Sequence, residues 1–264
     1  RYGIWRTNMN MEKVKVLYTI GDSFVYGHGL DSRWSTTLSK KIGGLDCNVS
    51  LTGSSNDRTF RTVVRDISRI ESEGKVWSET TNDIDCQLSD LLVIVGWTSP
   101  FRFEWFHQGE YYQSRLWSQE KKWNYNDGRI DYKFSDEISK PIVTELNSLV
   151  KFFTQIISLK NFLENKNIPN IFFNCFFPFG EKTIEYYNNI VDDLEKNKIS
   201  KLRTFDNIDT YYSLHALWDC VPSDYKELNH LEFIGEENLD ESLHPTPQGH
   251  ELWSDKLFDY GKYD

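Results

Sequence analysis

Val14 to Ile20 alternates apolar and polar positions and is rich in β-branched and aromatic residues, so it reads as a strand entering a core. Trp34 to Ile42 places apolar residues at helical spacing and is closed by Gly43-Gly44, a helix followed by its C-cap. A second strand is expected over Cys47 to Leu51. A small polar loop, Thr52 to Arg58, then leads into a helix with apolar positions at Phe60, Val63, Val64, Ile67 and Ile70. Leu91 to Gly96 is an unbroken apolar run, the pattern of a central parallel strand buried on both faces. A long amphipathic helix is predicted from Pro141, a fourth strand over Ile168 to Phe177, a helix over Glu181 to Asn197 and a last helix after Pro247; Phe205 to Trp218 is ambiguous.

Strands alternating with helices predict a parallel sheet with helices on both faces, a three-layer α/β/α architecture. In such sheets ligands bind outside the carboxyl ends of the strands, so the polar exits at Ser23, Gly53 and Thr98 should converge on one crevice. The stretch Phe101 to Phe134 breaks the pattern: aromatic residues interleave with charges and amides and show no clean period. It reads as an insertion within a single domain spanning residues 1–264, either a wall of the binding site or a cover for the core.

Composition narrows the partners. Forty acidic against 30 basic side chains give a formal net charge of −10, which argues against nucleic acid and anionic membranes. No apolar run reaches membrane-spanning length, and the segment Arg1 to Met11 lacks the apolar core of a signal peptide; a soluble protein is expected, its compartment and oligomeric state left open. The four cysteines, Cys47, Cys86, Cys175 and Cys220, are widely spaced and expected as buried free thiols. Neither a metal nor another cofactor is indicated, since His244 and His250 are six residues apart and lack a third ligand.

The candidate chemistry begins at Gly21-Asp22-Ser23, directly after the first strand. A glycine there permits a sharp turn, and the serine can raise its Oγ above the sheet edge near a helix N-terminus; the plainer alternative is a capped turn. Near the other end, Asp240-Glu241-Ser242-Leu243-His244-Pro245 sets a histidine in a proline-containing loop before the last helix, which suits a general base. His250 is expected to be structural or solvent-facing, and His28 a surface or supporting group. Arg58 and Arg102 lie beside the predicted crevice, where each could hold an anionic or polar substituent or simply pair with an acid. Trp97, at the exit of the third strand, is taken with Arg102 as a substrate contact.

With Gly21-Asp22-Ser23 after the first strand, Asn48-x-x-x-x-Gly53 after the second, Gly96 after the third and His244-Pro245 before the last helix, the chain resembles the SGNH, or GDSL, family of esterases and lipases. The resemblance implies a flavodoxin-like sandwich around a central parallel sheet. It also implies Ser23 as nucleophile, His244 as general base, and the N–H groups of Ser23 and Gly53 as oxyanion-hole donors. Where the family has Gly-x-Asn-Asp this chain has Gly96-Trp97-Thr98-Ser99, so Thr98 or Asn56 would replace the amide donor. Where the family has an acid three residues before the histidine, Glu241 stands, with Asp240 one residue earlier; either can support His244, and the spacing favours Glu241.

Three functions follow as expectations. The first is a metal-independent serine esterase acting on short acyl esters, with O-acetyl groups of a glycan as the candidate substrate, given the aromatic insertion. The second is an acyltransferase using the same serine and histidine. The third is a binding module that keeps the fold without the chemistry.

Overall fold

The computed structural model describes residues 13–27, 33–78, 82–107, 110–115, 145–176 and 216–262. Its centre is a parallel sheet of four strands, β1 (Val16–Ile20), β2 (Leu45–Asn48), β5 (Leu91–Trp97) and β8 (Asn170–Asn174), in the order β2-β1-β5-β8. Tyr18 pairs with Cys47 on one side and Val93 on the other.

Alternation along the strands builds the two outer layers. Val16, Tyr18 and Ile20 of β1 and Leu91, Val93, Val95 and Trp97 of β5 face α3 (Asn56–Glu73) and α4 (Glu145–Asn165), meeting Val63, Ile67, Phe152, Phe153 and Ile156. Leu17, Leu92 and Ile94 face the other way, against Trp34 and Leu38 of α2 (Trp34–Ile42) and Trp253 and Leu257 of α7 (Pro247–Lys262). Every residue of β1 and β5 is buried, as expected for strands covered on both sides. The fold is thus an α/β sandwich with a central parallel sheet.

Local chemistry sets the boundaries. The helix α2 spans the predicted residues and ends at Gly43, whose φ of 75° is the left-handed C-cap conformation. The second strand lies earlier than its apolar run, 45–48 instead of 47–51, and the turn beyond it is held by the Asn48 side chain. Its carbonyl accepts from Ser50 N at 3.0 Å, and its amide donates to Val25 O at 2.8 Å.

Gly21 does not take a positive φ. The glycine is required by close approach: a Cβ would sit 2.4 Å from Val25 Cγ2 and 2.7 Å from Gly96 O. A Cβ on Gly96 of the neighbouring strand would sit 2.4 Å from the same Val25 methyl, so one valine is seated between two glycines.

Two antiparallel hairpins lie outside the sheet. The pair β3 (Lys75–Ser78) and β4 (Asn82–Asp85) follows α3, and β6 (Arg102–His107) pairs with β7 (Glu110–Arg115). The latter occupies the start of the stretch that showed no period; the remainder of that stretch, the predicted helix over 181–197, His28 and the start expected at Pro141 lie outside the described residues. Between β8 and α7 come α5 (Ser223–Glu227) and α6 (His230–Ile234). Among the described residues no helix is long and apolar enough to cross a membrane.

Candidate active site

Ser23 is the first residue of the one-turn helix α1 (Ser23–Tyr26), which Gly27 closes in the left-handed conformation with φ 73°. Asp22 is its N-cap, with Oδ1 accepting from Phe24 N at 3.0 Å. The N–H of Ser23 belongs to the first turn, where no intrahelical carbonyl is available to it. Asp22 is fully buried, and its second oxygen takes two donors, Thr98 Oγ1 at 2.8 Å and Arg102 Nη1 at 2.7 Å. The carboxylate at the candidate nucleophile is therefore held by a cap, a hydroxyl and a guanidinium.

The strand exits are tied together by hydrogen bonds. Leu51 N donates to Gly21 O at 3.3 Å, which brings the loop carrying Gly53 (φ 76°) onto the end of β1. Asn56, at the start of α3, accepts from Thr98 N at 3.0 Å and donates to Thr98 O and Ser99 O, each at 3.1 Å. Thr98 has one hydroxyl proton and gives it to Asp22; Asn56 has two amide protons and gives both to backbone carbonyls. Both side chains hold the crevice in shape, and in this arrangement neither has a proton left for an oxyanion.

His244 comes from the opposite end of the chain. Its turn is organised by Asp240, whose Oδ1 accepts from Ser242 Oγ at 2.6 Å, Ser242 N at 2.8 Å and His244 N at 3.0 Å. Those bonds, the Ser242 hydroxyl foremost, hold the Asp240 carboxyl below its ordinary pKa. Ser242 Oγ lies 3.0 Å from His244 Nδ1. Since the Ser242 proton goes to Asp240, Nδ1 must donate to Ser242, which leaves Nε2 as the basic nitrogen. The acid that reaches round the turn is Asp240; Glu241, which spacing favoured, sits exposed beside it. Leu243 makes this reach possible, turning through φ 61°.

The imidazole of His244 stacks on Phe24, the residue after Ser23, with centroids 5.3 Å apart and planes 28° from parallel. Phe24 also meets Phe176 edge-on at 4.5 Å and His230 at 6.0 Å. His230 is buried and stacked on Trp253, and burial pushes it well below its ordinary pKa.

Trp97 is no substrate contact: it shares the parity of Leu91, Val93 and Val95, so its ring enters the α4 layer and packs against Phe152 and Phe172 at 5.9 and 5.7 Å. Arg58 donates to Val49 O at 3.3 and 3.2 Å and is lowered from its ordinary pKa by burial. His250 is structural, accepting from Trp34 N on Nδ1 at 3.3 Å; burial, followed by the nearby His244 and Arg33, brings it down to about 4. Cys47, Cys86 and Cys175 are buried free thiols, whereas Cys220 is exposed. Among the described residues no cluster of three metal-ligating side chains occurs.

The residues that sequence reasoning underrated are Asp22 as the node of the site, Phe24 as the platform for His244, and Ser242 as the link to Asp240. Asp22 stood inside the Gly-Asp-Ser triplet. Nothing in a linear pattern marks Ser242.

Comparison with known proteins adds a family and several distant folds. The model of a family of unknown function (DUF6071) matches residues 25–210. Comparison with curated proteins finds no match. Among solved structures, the psychrotrophic esterase EstA from Pseudoalteromonas sp., inhibited by monoethylphosphonate, is 12% identical, with 93% of this chain and 95% of that chain covered and a TM-score of 0.43. A protein from Desulfitobacterium hafniense described as lipolytic, of the G-D-S-L family, is 12% identical, with 93% and 98% covered and a TM-score of 0.43. A GDSL-like protein described as a lipase from Parabacteroides merdae is 9% identical, with 97% and 99% covered and a TM-score of 0.38.

Proposed function

Since the chain belongs to DUF6071, a family of unknown function, we propose its activity from the site itself: a serine esterase that cleaves short acyl esters through an acyl-Ser23 intermediate. One observation carries this reading. The imidazole of His244 lies on the ring of Phe24, next to Ser23, with its Nδ1 directed to Ser242 and Asp240. A histidine oriented in this way keeps Nε2 as a base for a neighbouring hydroxyl.

In the proposed reaction Ser23 Oγ attacks the acyl carbonyl while His244 Nε2 takes its proton. The developing oxyanion is met by the N–H groups of Ser23 and Gly53; donors of this type are worth about 3 kcal/mol each in a transition state. His244 then protonates the leaving alcohol, and a water activated by the same nitrogen releases the acid. Asp240, acting through Ser242, steadies the imidazolium formed between these steps. A glycan O-acetyl group is the proposed substrate class, supported by the aromatic content of residues 101–134.

The test is hydrolysis of para-nitrophenyl acetate and longer esters by the wild type, Ser23→Ala and His244→Ala. Each variant is expected to lose about 10⁴-fold or more in kcat while the fold persists; undiminished turnover in Ser23→Ala overturns the reading.

A specific observation favours a second reading, a binding module without efficient chemistry. Thr98 and Asn56 spend their side-chain protons on Asp22 and on backbone carbonyls, so neither of the side chains expected at the hole donates to it. Reaction with a fluorophosphonate separates the two: a competent Ser23 is labelled, and a site that only binds is not.

A further inference from the structure

A carboxylate that is fully buried one residue before a nucleophile is costly unless its charge is matched. Thr98 supplies Asp22 with one neutral hydrogen bond, and the charge is matched by Arg102 at 2.7 Å. Arg102 is the first residue of β6 and stands outside the central sheet, with only 11% of its side chain exposed. Its guanidinium makes a second contact, lying over the Phe176 ring at 5.0 Å. Phe176 meets Phe24 at 4.5 Å, and Phe24 carries His244.

We propose that Arg102 is a positioning residue for the esterase reaction: its guanidinium fixes the Ser23 turn through Asp22, and fixes the ring layer beneath His244 through Phe176. The proposal rests on the serine-esterase reading of the site. Only a planar cation serves both purposes, because it can donate to a carboxylate in its plane while its face stays on an aromatic ring; a lysine supplies the charge without the stack. The distance between nucleophile and base then depends on one side chain that touches neither.

Arg102→Met keeps much of the apolar stem and removes the charge. On para-nitrophenyl acetate its kcat is expected to fall about 100-fold, the size of effect an ångström of misplacement produces, with KM little changed. Fluorophosphonate labelling of Ser23 should slow by the same factor, and added ethylguanidinium should restore part of the rate to Arg102→Ala. The single variant also strands the Asp22 charge and can lose stability for that reason alone. The double variant Asp22→Asn/Arg102→Met separates the roles: it is expected to regain Tm while kcat stays low. Recovery of kcat together with Tm overturns the proposal and leaves Arg102 as a counter-charge only, and so does an unchanged kcat in Arg102→Met. A wild type that neither turns over esters nor labels at Ser23 overturns the esterase reading first, and the proposal with it.

Discussion

His250 shows how one ring nitrogen can link pH to stability. Its Nδ1 must be unprotonated to accept from Trp34 N, and its pKa is lowered to about 4 from an ordinary 6.5. A base with a depressed folded pKa binds fewer protons when folded than when unfolded. Stability is therefore complete above about pH 6.5 and declines as pH falls toward 4. The shift corresponds to about 3 kcal/mol. His230, also buried and lowered, acts in the same direction. Urea unfolding at stepped pH should show this acid loss in the wild type and a shallower one in His250→Gln. The same kind of detail explains why the partner of His244 was hard to read from sequence: spacing favoured Glu241, but Leu243 in the left-handed region turns the chain so that Asp240 is the residue that bonds across.

Strands and helices with a pure period were legible. The β1, β5 and α2 segments are dominated by one spacing each, and their boundaries fall within about two residues of those expected, the usual margin for such ends. Periodicity is a poorer guide at β2, where the apolar run continues into a turn held by the Asn48 side chain, whose polarity gives no hint of where its amide will point. The β6/β7 hairpin was illegible for a different reason. Its anchorage is ionic, with Glu104 N on Asp57 Oδ2 at 2.8 Å and Arg61 on the Glu104 carboxylate at 2.9 Å. Asp57 Oδ1 also takes Lys151 Nζ at 2.6 Å and Gln155 Nε2 at 2.7 Å, so one carboxylate joins α3, α4 and the hairpin. Asp57→Ala should speed amide exchange at Glu104 and lower stability by about 1–3 kcal/mol, as expected when a buried donor loses its acceptor. Gly21→Ala should cost a similar amount, about 1–3 kcal/mol by urea unfolding, because its methyl must displace Val25 or the Gly96 carbonyl.

Across the whole fold, the sheet order places three polar strand ends side by side, which the alternation of elements already implied. What alternation could not supply was which polar groups face a ligand and which hold one another. Thr98 and Asn56, expected to face a ligand, bond to Asp22 and to the exit of β5, and Arg102, for which both a substrate contact and an acid partner were open, pairs with Asp22. Trp97 was misassigned because residue type suggested an open site while strand parity directed it inward.

The hydrogen bond from Trp34 to His250 has a bearing on biosynthesis. A growing polypeptide exposes α2 long before α7 exists, so the start of α2 waits with an unsatisfied N–H, and Trp34 with part of its packing absent, until more than two hundred further residues have been added. Such long-range closure is slow and leaves apolar surface open in the interim. A nascent chain arrested before residue 250 should accordingly be held by chaperones, and release from them would report that α2 and α7 have met.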